Sequence, residues 1–115
     1  MLFRSLIKLD TRRIRDWNSF HSVFAETFGF PDYYGNNMNA WIDCMTCLND
    51  PEVVDTKVKA PRGEVVILQL DHAEEFSQRC PELFAAIMEC SAFVNLRQVE
   101  RGFPAVLALA FHKRA

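Results

Sequence analysis

Two cysteines separated by two residues form the C-x-x-C segment Cys44-Met45-Thr46-Cys47, a spacing that thiol–disulfide chemistry uses. Thioredoxin-type sites place the first cysteine at a helix N-terminus directly after a strand, where the helix dipole stabilises the thiolate. The residues before Cys44 are instead predicted to be helical, so the pair falls near the end of a helix. This position does not favour a redox site. We therefore keep the role of a small thiol-redox protein that uses Cys44 and Cys47 as an alternative function.

Asp71 and His72 directly follow the apolar run VVILQL, where α/β enzymes often hold catalytic groups. A simpler interpretation makes Asp71 a helix N-cap and His72 a first-turn residue. His21 and His112 have no partner visible in the sequence, and there is no nucleophile elbow or phosphate-binding glycine loop. We therefore predict that the protein is not an enzyme and has no catalytic residue.

The remaining cysteines, Cys80 and Cys90, do not form a second close pair, and the three histidines are scattered along the chain. A zinc site needs closely spaced cysteine or histidine ligands. We expect free thiols in a reducing compartment, with neither a metal nor a cofactor.

The segment FPDYYGNNMNAWIDCMTCL, residues 30–48, is predicted to be a loop that runs into a helix capped by Asn36 or Asn37. At 3.6 residues per turn, one face of this helix is apolar and would face the core: Met38, Trp41, Met45 and Leu48, with Cys44 at its edge. The opposite face is polar: Asn36, Asn39, Asp43 and Thr46, with Ile42 at the border.

A solvated surface is the ordinary explanation of such a polar face, but three features favour a binding surface. The face contains no lysine or arginine, and two adjacent tyrosines, which are favoured at interfaces, precede it. The glycine and asparagines before the helix leave backbone groups accessible. A rigid acidic and amide surface flanked by aromatic rings would suit a basic cleft on a partner protein.

The first predicted helix positions this segment from its N-terminal side. Asp16 is its expected N-cap, and Trp17, Phe20, Phe24 and Phe28 recur at helical spacing on a face that we assign to the core. Gly29 is expected to end this helix.

Three strands are predicted at residues 2–9, 65–70 and 105–111, the last two as buried apolar runs. Asp71 and Glu74 fit a capping box for the next helix, and Pro81 fits the first turn of a longer helix with Leu83, Ile87, Cys90 and Val94 at helical spacing, which Gly102 and Pro104 stop. Residues 49–64 form a long loop or linker. The order strand, helix, helix, linker, strand, helix, strand predicts an α/β fold with a small, mainly parallel sheet.

At 115 residues the chain is long enough for one modest core, so we expect a single domain over residues 1–115. The formal net charge of −2 lacks the clustered basic excess that direct nucleic-acid binding needs. No apolar run reaches the roughly 18 residues of a membrane span, and MLFRSLIKLD lacks an export signal. We expect a cytoplasmic protein whose partner is neither nucleic acid nor membrane.

The stretch DYYGNNMNAWIDCMT resembles the signature segment of the barstar family, intracellular inhibitors of a secreted bacterial ribonuclease. The residues that match in register are the two tyrosines, Gly35, Asn37, Ala40, Asp43, Cys44 and Thr46. The order of elements also resembles the family's fold, a three-stranded parallel sheet with surrounding helices.

The resemblance implies a bacterial protein whose loop and second helix block the active site of a cognate ribonuclease or nuclease toxin. Tyr33 would pack on the catalytic region of the enzyme, and Asp43 would replace a substrate phosphate. The other residues that it implies at the interface are Gly35, Asn37, Asn39, Ile42 and Thr46.

Three positions depart from the family's pattern. Asn39 stands where the family has a second carboxylate, Ile42 where it has a tryptophan, and Arg97 where its last helix offers an acidic contact. These changes should weaken long-range attraction to a strongly basic enzyme. We therefore expect either a cognate partner different from the usual microbial ribonuclease, or an interaction module of the same fold with a non-nuclease partner.

Overall fold

The computed structural model describes residues 4–50, 52, 56–60 and 63–112. Within these residues a three-stranded sheet is formed by β1 (Arg4–Asp10), β2 (Val65–Asp71) and β3 (Leu107–Ala110). The strand order is β1-β2-β3, and both neighbouring pairs are parallel, with Leu9 opposite Leu70 and Leu68 opposite Leu109. The predicted α/β class and three-stranded parallel sheet are confirmed.

Four α-helices connect the strands: α1 (Trp17–Phe28), α2 (Met38–Thr46), α3 (Ala73–Arg79) and α4 (Pro81–Glu100). The first two lie between β1 and β2, and the last two lie between β2 and β3. The predicted order counts one helix in the second connection, although helix starts are predicted at both Asp71 and Pro81; the structure has two helices there. The helical conformation is interrupted at Cys80, which ends α3 and precedes α4. Pro81 then occupies the first turn of α4, a position that its fixed φ angle favours.

Local signals set the ends of α1 as predicted. The Asp16 carboxylate accepts a hydrogen bond from the Ser19 backbone N–H at 2.8 Å, and the Ser19 hydroxyl bonds back to the Asp16 N–H. Gly29 ends the helix with φ at +68°. A Cβ at Gly29 would lie within 2.5 Å of the Lys57 side chain, so both backbone angle and space favour glycine.

The prediction that Asp71 caps a helix together with Glu74 is wrong. Asp71 is the last residue of β2, and its carboxylate accepts a hydrogen bond from Gln69 Nε2 at 2.7 Å. His72 occupies the N-cap position of α3 with φ at +62° and makes no side-chain cap. The strand runs one residue further than the apolar pattern suggested because Asp71 pairs with Asp10 of β1.

The prediction that β2 is buried on both faces is also wrong. Val66, Leu68 and Leu70 are buried, whereas the alternate residues of the strand are half-buried. On β1, the neighbouring residues of that second face, Leu6 and Lys8, are exposed. With strand order β1-β2-β3, two crossovers of the same hand place their helices on the same side, which accounts for the one-sided burial.

Aromatic rings from α1 and α2 fill much of the core on the covered side. Phe20, Phe24 and Phe28 are fully buried, and the Phe24 ring lies edge-on to Trp41 with a centroid separation of 5.6 Å. Trp17 was also assigned to this core face, but it is 43% exposed. It is the first residue of α1, and its ring centroid lies 5.4 Å from that of Phe20.

Residues 49–64, predicted as a linker, are fastened to the helices wherever the structure describes them. The backbone N–H groups of Lys57 and Val58 donate to the Phe28 carbonyl, and the Ala60 N–H donates to the Leu48 carbonyl at 2.8 Å. Thr56 and Ala60 are buried. This part of the segment therefore completes the core around the ends of α1 and α2.

Among the described residues, no helix is both long enough and apolar enough to cross a membrane.

Candidate protein-binding site

The two tyrosines before α2 face in opposite directions. Tyr33 is 78% exposed, whereas Tyr34 is 9% exposed and its hydroxyl lies 2.6 Å from Nδ1 of His21. Burial raises the pKa of the Tyr34 hydroxyl and lowers the pKa of the His21 imidazole. This buried hydrogen bond joins the loop to α1, while Tyr33 remains at the surface.

Asn37 holds the loop and the start of α2 together. Its side-chain oxygen accepts a hydrogen bond from the Ala40 N–H at 2.8 Å, and its amide nitrogen lies 3.3 Å from the Gly35 carbonyl, to which it donates. A Cβ at Gly35 would lie 3.1 Å from the same nitrogen, which leaves little room for a side chain. Gly35 and Asn37 are exposed, and their geometry sets the direction in which the chain enters the helix.

The outer face of α2 carries the exposed side chains Asn39 and Asp43, one helical turn apart, and Ile42 is half-buried beside them. The inner face is anchored by Trp41, Met45 and Leu48, which have 0% exposure. We call the set formed by Tyr33, Asn39, Ile42 and Asp43 the α2 ridge. Its backbone is held rigidly because its underside is part of the core.

Asp43 is engaged by a residue that is distant in sequence. Its Oδ1 atom lies 3.0 Å from Nη1 of Arg97 on α4, and the two side chains are 68% and 31% exposed, respectively. The Arg97 guanidinium carbon also lies 6.0 Å from the ring centroid of Phe93. This ion pair is not visible in the sequence, because the two residues are 54 positions apart.

The prediction that Thr46 lies on the exposed polar face is wrong. Thr46 is 3% exposed, and its hydroxyl donates to the Ile42 carbonyl at 2.6 Å. Its own carbonyl accepts a hydrogen bond from Nε2 of Gln98 on α4. Thr46 therefore lies beneath the α2 ridge, where α4 covers the C-terminal end of α2.

The cysteine pair lacks the setting that a thioredoxin-type site requires. Cys44 lies in the last turn of α2, and Cys47 follows as its C-cap. Cys44 and Cys47 are not joined by a disulfide bond, and Cys44 is buried. Neither is at a helix N-terminus after a strand, so the dipole that would stabilise a thiolate is absent.

Asp71 and His72 border an open pocket of about 810 Å³ at the carboxyl ends of β2 and β3, together with Glu74, Glu75, Phe111 and His112. Among the described residues, no group of three or more histidine, cysteine, aspartate or glutamate side chains is arranged to hold a metal ion. The pocket lines the end of the sheet and does not include any residue of the α2 ridge.

A small α/β domain with a rigid, exposed loop and helix defines a class of protein suited to binding another protein. The family model described as Barstar (barnase inhibitor) matches residues 4–110, nearly the whole chain. The chain belongs to the barstar family. Members of this family are inhibitors that bind ribonucleases such as barnase, and they are not enzymes. No curated protein matches the sequence significantly.

Proposed function

We propose that this chain inhibits a cognate bacterial ribonuclease or nuclease toxin by binding its active site inside the producing cell. Membership of the barstar family supports a ribonuclease-type partner. The observation that carries the proposal is the Asp43 carboxylate, 68% exposed on a helix whose opposite face carries the fully buried Trp41 and Met45. It is a fixed negative group on an accessible surface.

The physical basis of inhibition is charge mimicry in a desolvated cleft. A ribonuclease active site holds cationic side chains for the substrate phosphate, and a carboxylate can accept strong, charge-assisted hydrogen bonds from them. Because α2 is rigid before binding, little conformational entropy is lost when Asp43 enters the cleft. Tyr33, with 78% exposure, would pack beside it and exclude water. Such inhibition requires neither a cofactor nor a reaction by the inhibitor.

The remaining predicted contact residues have graded roles in this proposal. Asn39 and Gly35, which are exposed, and the half-buried Ile42 supply direct contacts. Asn37 acts through the cap that orients the loop, and Thr46 acts from beneath by holding the end of α2.

The first experiment captures the partner and measures its activity. The immobilised chain is incubated with extract from its native host and with the product of any nuclease gene beside its own. Each bound protein is then titrated with the chain while RNA or DNA hydrolysis is followed. We expect one nuclease to lose activity at one-to-one stoichiometry. Binding that leaves hydrolysis unchanged would favour the interaction module with a non-nuclease partner.

Replacement of Asp43 tests whether its exposed carboxylate binds the nuclease. We expect Asp43→Ala to weaken binding to that nuclease at least a hundredfold, or about 3 kcal/mol, because the cationic groups of the cleft would be left without their partner. The free energy of unfolding should change by less than about 1 kcal/mol, since the Asp43–Arg97 pair is exposed.

Glu26→Ala is the matched control for this substitution. Glu26 is an exposed carboxylate that pairs with Arg13, away from α2. Calorimetric titration and thermal melts of both variants provide the comparison. Equal affinity of the two variants for the nuclease would remove Asp43 from the proposed role.

A further inference from the structure

The charge that the α2 ridge presents is not a bare carboxylate. Asp43 Oδ1 is bonded to Arg97 Nη1 at 3.0 Å, and Asp43 Oδ2 makes no hydrogen bond within the part of the chain that the structure describes. The outer surface of α2 contains no other charged residue, because Asn36, Asn37 and Asn39 are amides. Asp43 of the α2 ridge and Arg97 of α4 therefore present adjacent negative and positive groups whose charges sum to zero.

Arg97 is held where it can contact whatever binds Asp43. Its side chain is 31% exposed and lies beside the carboxylate. Its guanidinium carbon lies 6.0 Å from the ring centroid of Phe93, itself 49% exposed on the same helix. A guanidinium held by both a carboxylate and an aromatic ring has fewer alternative positions than an unrestrained arginine.

We propose that Arg97 determines which nuclease this protein inhibits: it selects a cleft that places a hydrogen-bond acceptor, most simply a carboxylate, beside the cationic group that meets Asp43. This inference rests on the proposed function, and it specifies the charge pattern of the partner. A nuclease with a uniformly basic cleft is rejected by the same residue.

The spacing of the charges determines which clefts can accept Asp43. A cationic side chain that bonds to Asp43 Oδ2 comes close to Arg97, because both cations share one carboxylate. In a closed interface such like charges repel strongly, and a guanidinium donor without an acceptor loses its water without compensation. An acceptor on the partner removes both penalties, and Arg97 can then bridge it to Asp43.

Barnase, the ribonuclease named in the description of the family, is the probe for a basic cleft. We expect Arg97→Glu to bind barnase at least tenfold more tightly than the unmodified chain, chiefly through faster association that slows with added salt. Surface plasmon resonance at several salt concentrations measures both rate constants, and thermal melts verify that the variant is folded.

Arg101→Glu is the control for net charge. Arg101 is an exposed residue one turn further along, at the end of α4, and it makes no ion pair within the described residues. Arg101→Glu changes the net charge by the same amount as Arg97→Glu, but Arg101 is not part of the ion pair with Asp43. A tenfold gain for Arg97→Glu with a smaller effect of Arg101→Glu supports the inference. Equal effects of the two variants, or no gain for Arg97→Glu, overturn it.

The nuclease captured in the first experiment provides the converse measurement. For that partner, Arg97→Glu should weaken binding at least tenfold, while Arg101→Glu should have a smaller effect. Unchanged affinity of Arg97→Glu for this nuclease would overturn the selective role of Arg97 and leave the inhibitor function intact. Failure of the unmodified chain to inhibit any nuclease would instead refute the proposed function itself.

Discussion

The bond between His21 and Tyr34 explains how two identical neighbouring side chains acquire different positions. Tyr34 enters the core and is fixed at 2.6 Å from an imidazole nitrogen, so Tyr33 is directed to the surface. The resemblance implied that Tyr33 is the contact residue, and Tyr33 is the exposed ring, but the hydrogen bond that holds Tyr34 in the core was not predicted. His21 lies 13 positions earlier, and a partner at that separation is not visible in local periodicity.

The buried imidazole of His21 predicts a pH dependence of stability. Burial lowers its pKa in the folded protein below the ordinary value of 6.5, so the folded chain keeps it neutral while the unfolded chain binds a proton near that pH. The contribution of neutral His21 to the free energy of unfolding is complete above pH 6.5. It decreases as the pH falls from there towards the lowered pKa of the folded protein. Urea unfolding at pH values on both sides of this window measures the slope.

His21→Gln is the control for this dependence, because glutamine does not titrate. Its stability should change less between the same two pH values than that of the unmodified chain. An identical slope in both proteins would show that His21 is not the source.

The second helix shows which features of an element follow from sequence and which do not. Its N-cap at Asn37 and its buried face followed from residue type and from a period of 3.6. Thr46 was misplaced because a helical period describes one buried side, whereas α4 covers a second side at the C-terminal end. Asp71 was misplaced because strand pairing with β1 overrode a local capping pattern.

The cap of α2 can be tested by two substitutions at one position. Asn37→Ala removes the oxygen that accepts from the Ala40 N–H, and we expect it to lower the free energy of unfolding by about 1 kcal/mol. Asn37→Asp retains an acceptor and places negative charge at the helix N-terminus, so it should be close to neutral. Chemical denaturation of both variants distinguishes capping from other effects, and equal losses would argue against it.

Three buried polar groups join α4 to the C-terminal end of α2 and to Asn49, which follows that helix. Gln98 of α4 donates through Nε2 to the Thr46 carbonyl at 2.5 Å and to Asn49 Oδ1 at 3.2 Å, and the Asn49 amide donates back to Gln98 Oε1. Gln98 is 1% exposed, so these hydrogen bonds are shielded from water. They fix α4 against the end of α2, and thereby fix the position of Arg97 relative to Asp43.

We expect Gln98→Met to lower the free energy of unfolding by about 1–3 kcal/mol. Methionine retains much of the side-chain volume, but it leaves the Thr46 carbonyl and the Asn49 amide buried without this partner. Val99→Met, at a neighbouring position that is 59% exposed, is the control and should have little effect. Thermal and urea unfolding compare the two, and similar stabilities would indicate that the amide contacts contribute little.

The contacts of α4 with α2 and with Asn49 could not be predicted from the sequence. Apolar runs and helix caps are local, and they gave the strands, most helix boundaries and the parallel sheet. The pairs Asp43–Arg97 and Asn49–Gln98 join residues about 50 positions apart, at separations of 54 and 49. Which polar groups meet there depends on how α4 lies across α2, and helix packing is set by the complete core.

The uncovered face of the sheet offers a practical handle. Lys8 projects from β1 on the side opposite the helices, beside the half-buried residues of β2. A fluorophore, a bead or a sensor surface coupled at this position would point away from Asp43 and leave α2 unobstructed. The asymmetry of the fold thus provides an attachment point on the side of the sheet opposite the helices.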